Sequence, residues 1–167
     1  VSDMRFALDL WHKKDGVTHR GRGTKNEEYF AWNKPVLAPA DGVVVATSLG
    51  TADNAPNRAP GGNLYGNFVV LRHADGEYSL FGHLKRGSIS VKLGERVTRG
   101  QRLARVGNSG MSTEPHLHFQ VMDAADWMHA QGMPLALCDF TRNGYVIDCE
   151  EPVRGDVIDT RSGEASR

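Results

Sequence analysis

The chain has 167 residues, and its twenty basic and twenty acidic side chains cancel. A neutral chain has no overall field to gather nucleic acid, and no run of eighteen apolar residues is present to cross a bilayer, so neither partner is expected. Nineteen glycines and seven prolines separating short Val/Ile/Leu runs predict an all-β, antiparallel sandwich or barrel-like domain with long irregular loops.

Phe6, Leu8 and Leu10 alternate with Arg5, Ala7 and Asp9, which predicts an opening strand whose polar face carries Arg5 and Asp9. Residues 11–35 then lose all periodicity and read as a long loop, in which Tyr29, Phe30 and Trp32 either wall a substrate groove or pack on the sheet. Residues 36–46 read as two strands around the turn Pro39-Ala40-Asp41-Gly42, followed by a second loop over 48–66. A hairpin is predicted from Asn67 to Leu84, turning at Ala74-Asp75-Gly76-Glu77 and carrying His83 at the end of its second arm. Around residues 123–132 the pattern fits either a short helix or a turn-rich connection.

Asn143-Gly144 is a strong two-residue hairpin turn. Counting outward from it places Cys138 opposite Cys149, close enough for a disulfide. The predicted organisation is one domain over residues 1–150, with a motif-bearing core over 5–122 and a hairpin over 136–149. A polar tail follows over 151–167.

The most informative stretch is Pro115-His116-Leu117-His118-Phe119-Gln120-Val121. In an extended strand, successive side chains point to opposite faces. His116, His118 and Gln120 therefore share one surface, while Leu117, Phe119 and Val121 bury the other. Two imidazoles this close either share one metal or one substrate or stand solvated on a half-buried strand, and Gln120 either orients His118 or is solvated.

Asp9 in Arg5-Phe6-Ala7-Leu8-Asp9, the block Val36 to Gly42, Tyr78-Ser79-Leu80-Phe81-Gly82-His83-Leu84, and Gly107-Asn108-Ser109-Gly110 leading into His116-Leu117-His118-Phe119 together resemble the lysostaphin/LytM-type zinc metalloendopeptidases, in that family's order. The resemblance implies the duplicated hybrid motif fold, a zinc cofactor and peptidoglycan peptides as substrate. It also implies an extracytoplasmic location, periplasmic or secreted, with no signal or anchor among these residues; a monomer is expected. Residue by residue, it implies that Asp9 and His118 are zinc ligands and that His83 and His116 are the catalytic histidines beside the metal.

The family's H-x-G-x-D pattern places a histidine ligand four residues before the aspartate, where this sequence has Arg5, with Ala7 for the glycine. A guanidinium has no lone pair to offer and stays protonated, so it cannot replace imidazole on a metal. Three arrangements follow. Arg5 pairs with Asp9 and fills the cation's place; His12 or His19 folds back as a substitute ligand; or Asp9 and His118 hold zinc weakly with extra waters. The expected function is a cell-wall peptide hydrolase with an altered metal site, the alternative being a non-catalytic binding or regulatory module on the same fold.

Overall fold

Alternating and β-branched runs separated by glycine turns give almost entirely strand and loop, as expected for an all-β chain. The computed structural model describes residues 4–58 and 60–160. Twelve strands lie among them: β1 Leu8–Leu10, β2 Pro35–Leu37, β3 Gly42–Ser48, β4 Asn67–Arg72, β5 Tyr78–Leu84, β6 Arg96–Val97, β7 Arg102–Arg105, β8 Leu117–Met122, β9 Gly132–Met133, β10 Leu137–Arg142, β11 Tyr145–Glu150 and β12 Ile158–Thr160. The helical pieces are two single 3-10 turns, Asn26–Glu28 and Ala74–Gly76. Residues 123–132 are turns and a connection, the second of the two readings their sequence allowed.

The chain divides into two compact units, one ending at Met133 and the other beginning at Pro134. The first contains a seven-stranded antiparallel sheet in the order β1-β8-β5-β4-β3-β6, with β9 on β8, and a separate pair β2-β7. Hairpin β4/β5 forms as predicted, with Val70 opposite Leu80. The two strands around Pro39-Ala40-Asp41-Gly42 do not pair with each other: β2 joins β7 and β3 joins β4 and β6. Residues Asn67 to Leu71 of β4 are all buried, whereas β3 is half-buried.

Phe68, Val70, Leu80 and Met122 bury one side of the sheet together with Tyr65. Removing side chains of this size from water contributes roughly 1.5–3 kcal/mol each. That packing fixes the register on which the polar side chains of the same strands depend.

The second unit is a three-stranded sheet, β11-β10-β12. Cys138 stands opposite Cys149 across β10/β11, and the two are joined by a disulfide. The boundary at Met133/Pro134 differs from the predicted one after residue 150. The hairpin stands apart from the main sheet, and residues 151–160 are not only a tail, because β12 adds a strand to β10 and draws the hairpin and residues up to Thr160 into one small sheet. Residues 161–167 of the predicted tail lie outside the described residues.

Candidate functional site

Strand pairing alone brings three parts of the chain together. Asp9 of β1 is directly opposite His118 of β8, and Gly82 of β5 is opposite the same His118 on the other side. The next residue, His83, has a left-handed backbone (φ 57°) at a register shift in the β4/β5 ladder. A histidine held at positive φ on a strand is strained, and such strain gathers where a side chain must be aimed. His83 is buried, its ring 4.7 Å from that of His116 and 5.8 Å from that of His118.

Each imidazole is oriented by a second contact. The Nδ1–H of His83 donates to the carbonyl of Ser109 (2.8 Å), and that of His116 donates to the carbonyl of Glu114 (2.8 Å). With Nδ1 engaged, each ring presents Nε2 for chemistry. His116 Nε2 lies 3.5 Å from Asp9 Oδ1. His118 Nδ1 lies 2.9 Å from the same oxygen, and its Nε2 lies 3.0 Å from Gln120 Oε1. The Tyr65 hydroxyl also donates to Gln120 Oε1 (3.3 Å), so a fully buried glutamine links two rings behind the site.

The electrostatics follow from these contacts. Burial opposes charge on Asp9, but hydrogen bonds from His116 and His118 outweigh it and hold the carboxyl well below the usual carboxylate range. Burial is also the largest influence on His83; with the neighbouring His116 it pushes the imidazole down to about 4, so the ring is neutral at pH 7.

Asp9, His83, His116 and His118 all line one cavity of about 420 Å³, whose other walls include Trp11, Tyr65, Leu64 and Met111. Trp11 stacks on His116 (5.2 Å, 22° between planes), and Tyr65 packs against His118 (5.1 Å). The four residues singled out in the sequence therefore converge.

Arg5 departs from its predicted setting. Strand β1 starts only at Leu8, because the Ala7 N–H donates to the Met4 carbonyl (3.0 Å) and closes a turn, so exposed Arg5 does not share a strand face with Asp9. Neither proposed substitute ligand reaches the cavity. His12 Nδ1 lies 3.3 Å from the Phe30 carbonyl, and His19 packs on Tyr29 (5.0 Å), since the loop folds on its own aromatic residues. Elsewhere, His73 bridges the Asp41 carbonyl and Ser79, and exposed His129 meets Asp126.

Several residues of the site gave no sequence signal of their own. Ser109 holds His83 through its carbonyl, while its Oγ donates to the Leu84 carbonyl (2.7 Å) and accepts from the Asn67 N–H (2.9 Å). Ser112 Oγ lies 3.3 Å from His116 Nδ1 and donates to Asn108 Oδ1 (2.7 Å). Asn108 and Ser109 do fall in the Gly107-Asn108-Ser109-Gly110 block, which hinted at a shaped loop. Trp11, Tyr65 and Ser112 sit in aperiodic segments.

A cavity lined by three histidines and a carboxylate on an antiparallel sheet is the arrangement of a metallopeptidase-type site. The model for Peptidase family M23 matches residues 28–130, more than half of the chain, and the chain belongs to that family. Asp9 lies before the matched stretch, so the β1/β8 register is what ties it to the site. The peptidoglycan DD-endopeptidase ShyA of Vibrio cholerae is 39% identical over 88 residues, covering 53% of this chain and 17% of that protein. The DD-carboxypeptidase/endopeptidase Mpg of Neisseria meningitidis is 37% identical over 117 residues, covering 70% of this chain and 24% of that protein. A zinc-containing peptidase from Vibrio cholerae superposes with TM-score 0.42 at 34% identity, over 53% of this chain and 23% of that one. The chain thus spans about a quarter or less of the length of these relatives.

Zinc is the cofactor that the resemblance read from the sequence implies. A zinc site in a hydrolase needs three protein ligands and an open position. Among the described residues no group of three or more His, Cys, Asp or Glu side chains is arranged to hold a metal ion. Asp9 Oδ1 and His118 Nδ1 form a two-donor pair, and Arg5 has no lone pair to add. The donor set does not fit a three-ligand zinc centre.

Proposed function

We propose that this chain hydrolyses peptide bonds in the peptide part of bacterial peptidoglycan, at an extracytoplasmic location, through a centre with an altered metal position. The observation that carries the proposal is the convergence of Asp9, His83, His116 and His118 on one cavity, each ring held by a second contact. The names of the relatives ShyA and Mpg support peptidoglycan as the substrate class.

The side chains divide the proton work between them. His83, neutral with its free Nε2, takes a proton from an attacking water and returns it to the leaving amine. His116, beside the Asp9 carboxylate, turns Nε2 toward the cavity, where a proton on it donates to the oxyanion of the tetrahedral intermediate. Asp9 anchors His118 through Nδ1, and Gln120 fixes the His118 ring from behind. Trp11, Leu64 and Met111 give the groove apolar walls for the peptide.

The two-donor metal position favours a second reading, a module that binds the same peptides without cleaving them. Elemental analysis of protein purified without chelator, paired with muropeptide binding and cleavage assays on the wild type and His83→Gln, separates the two. The hydrolase reading expects slow wild-type cleavage with less than one zinc per chain, and at least a tenfold loss of turnover for His83→Gln. Tight peptide binding with no cleavage by the wild type establishes the binding module instead.

A further inference from the structure

Lys85, Arg86, Arg102 and Arg105 surround a second cavity, of about 510 Å³, that shares no lining residue with the histidine pocket. Its remaining walls are Asn33, Gly87, Ser88, Ile89 and Ser90, with no carboxylate among them. In a chain whose charges cancel overall, four cations around one hollow are a local positive excess that favours an anion.

The walls are built rather than loose. Lys85 Nζ donates to Asn33 Oδ1 (2.9 Å) and lies over the Trp32 ring (4.9 Å), and Arg105 Nη1 donates to the Asn33 carbonyl (2.9 Å). The Arg86 N–H is held by Asp53 Oδ2 (3.0 Å), and Ser88 Oγ donates to the Lys85 carbonyl (2.8 Å). The guanidinium groups of Arg86 and Arg102, by contrast, have no ion pair or hydrogen bond among the described residues. Two free planar forks are suited to an oxyanion, which each can grip bidentately.

Position gives the anion its source. Lys85 is two residues beyond His83, so their Cα atoms are at most about 7 Å apart. The end of β5 thus supplies His83 to one cavity and Lys85, just beyond it, to the other, so a peptide long enough to span both would present a carboxylate to the arginines.

We propose that this cavity is a subsite for a carboxylate of the peptide, gripped by Arg86 and Arg102 with Lys85 and Arg105 setting the field. The inference rests on the peptidoglycan-peptide reading above and adds to it a preference for substrates that carry a free carboxylate. A phosphate-bearing wall polymer offers the same oxyanion chemistry from another source.

The test measures binding of a purified muropeptide and its carboxyl-amidated counterpart to the full chain, to Arg86→Gln/Arg102→Gln and to Lys92→Gln as a charge control, with inorganic phosphate titrated separately. Arg86, Arg102 and Lys92 are exposed, and circular dichroism checks that the variants fold. The wild type and Lys92→Gln are expected to bind the acid at least tenfold tighter than the amide, with a preference that weakens as salt rises. The double variant is expected to lose that preference while its affinity for the amide stays unchanged. Equal affinity of the wild type for acid and amide, or a preference that survives in the double variant, overturns the proposal. Phosphate binding that needs the two arginines, without an acid-over-amide preference, overturns it in favour of the wall polymer. Cleavage with no preference sinks the subsite alone, whereas preference without cleavage sinks only the hydrolase reading.

Discussion

Asp9 Oδ1 lies 2.9 Å from His118 Nδ1, joining residues 109 apart in sequence across the β1/β8 ladder. The contact follows from register: a slip of one residue in either strand would turn one of the two side chains to the opposite face.

Gly82 sits next to that pair. A methyl group at this position would meet His118 Cβ at 3.3 Å and Tyr65 Cβ at 3.4 Å, closer than packed carbons usually come. Gly82→Ala is expected to cost about 1–3 kcal/mol of stability by overpacking and to lower muropeptide binding by displacing His118. Urea unfolding and a binding titration check both; unchanged affinity would show that the strand gives way without disturbing the site.

Trp11 stacks on His116 yet is 42% exposed, so the fold depends on it little. Trp11→Ala is expected to leave the melting temperature within a few degrees of wild type and to reduce muropeptide turnover roughly tenfold, as His116 loses its face contact. Trp11→Phe should recover most of the loss. A calorimetric scan alongside the kinetics separates this from a stability effect.

His83 makes stability depend on pH. Its folded value of about 4 lies below the ordinary 6.5, so between those values the unfolded chain binds the proton that the folded chain refuses. The contribution is complete above about pH 6.5 and is lost as pH falls toward 4, amounting to about 2 kcal/mol between pH 7 and pH 5. Denaturant unfolding of wild type and His83→Gln at both pH values checks the sign, the variant being expected to show the shallower dependence.

The histidine-bearing strand was legible because period-two alternation survives in His116 to Val121, with one face polar and the other apolar. His83 was legible as the end of a hairpin arm, but its positive φ was not, since nothing local in Gly82-His83-Leu84 announces a register shift imposed by β4. The Arg5 setting was misread because alternation over residues 5–10 continues through a backbone turn that a Met4–Ala7 hydrogen bond stabilises. Trp11, Tyr65 and Ser112 carry no period, and their contacts with the histidines arise only from loops crossing over the sheet. The partners of β2 and β3 were likewise set by long-range pairing, with β7 and with β4 and β6, rather than by the turn between them.

The central claim is that the histidine cavity cleaves wall peptides, and mass spectrometry of purified muropeptides incubated with wild type and with His116→Ala tests it most directly. The account predicts new amine and carboxyl termini at one bond with the wild type, formed at least a hundredfold more slowly by the variant. Intact muropeptides after prolonged incubation with the wild type at any zinc concentration, or equal cleavage by His116→Ala, would contradict it.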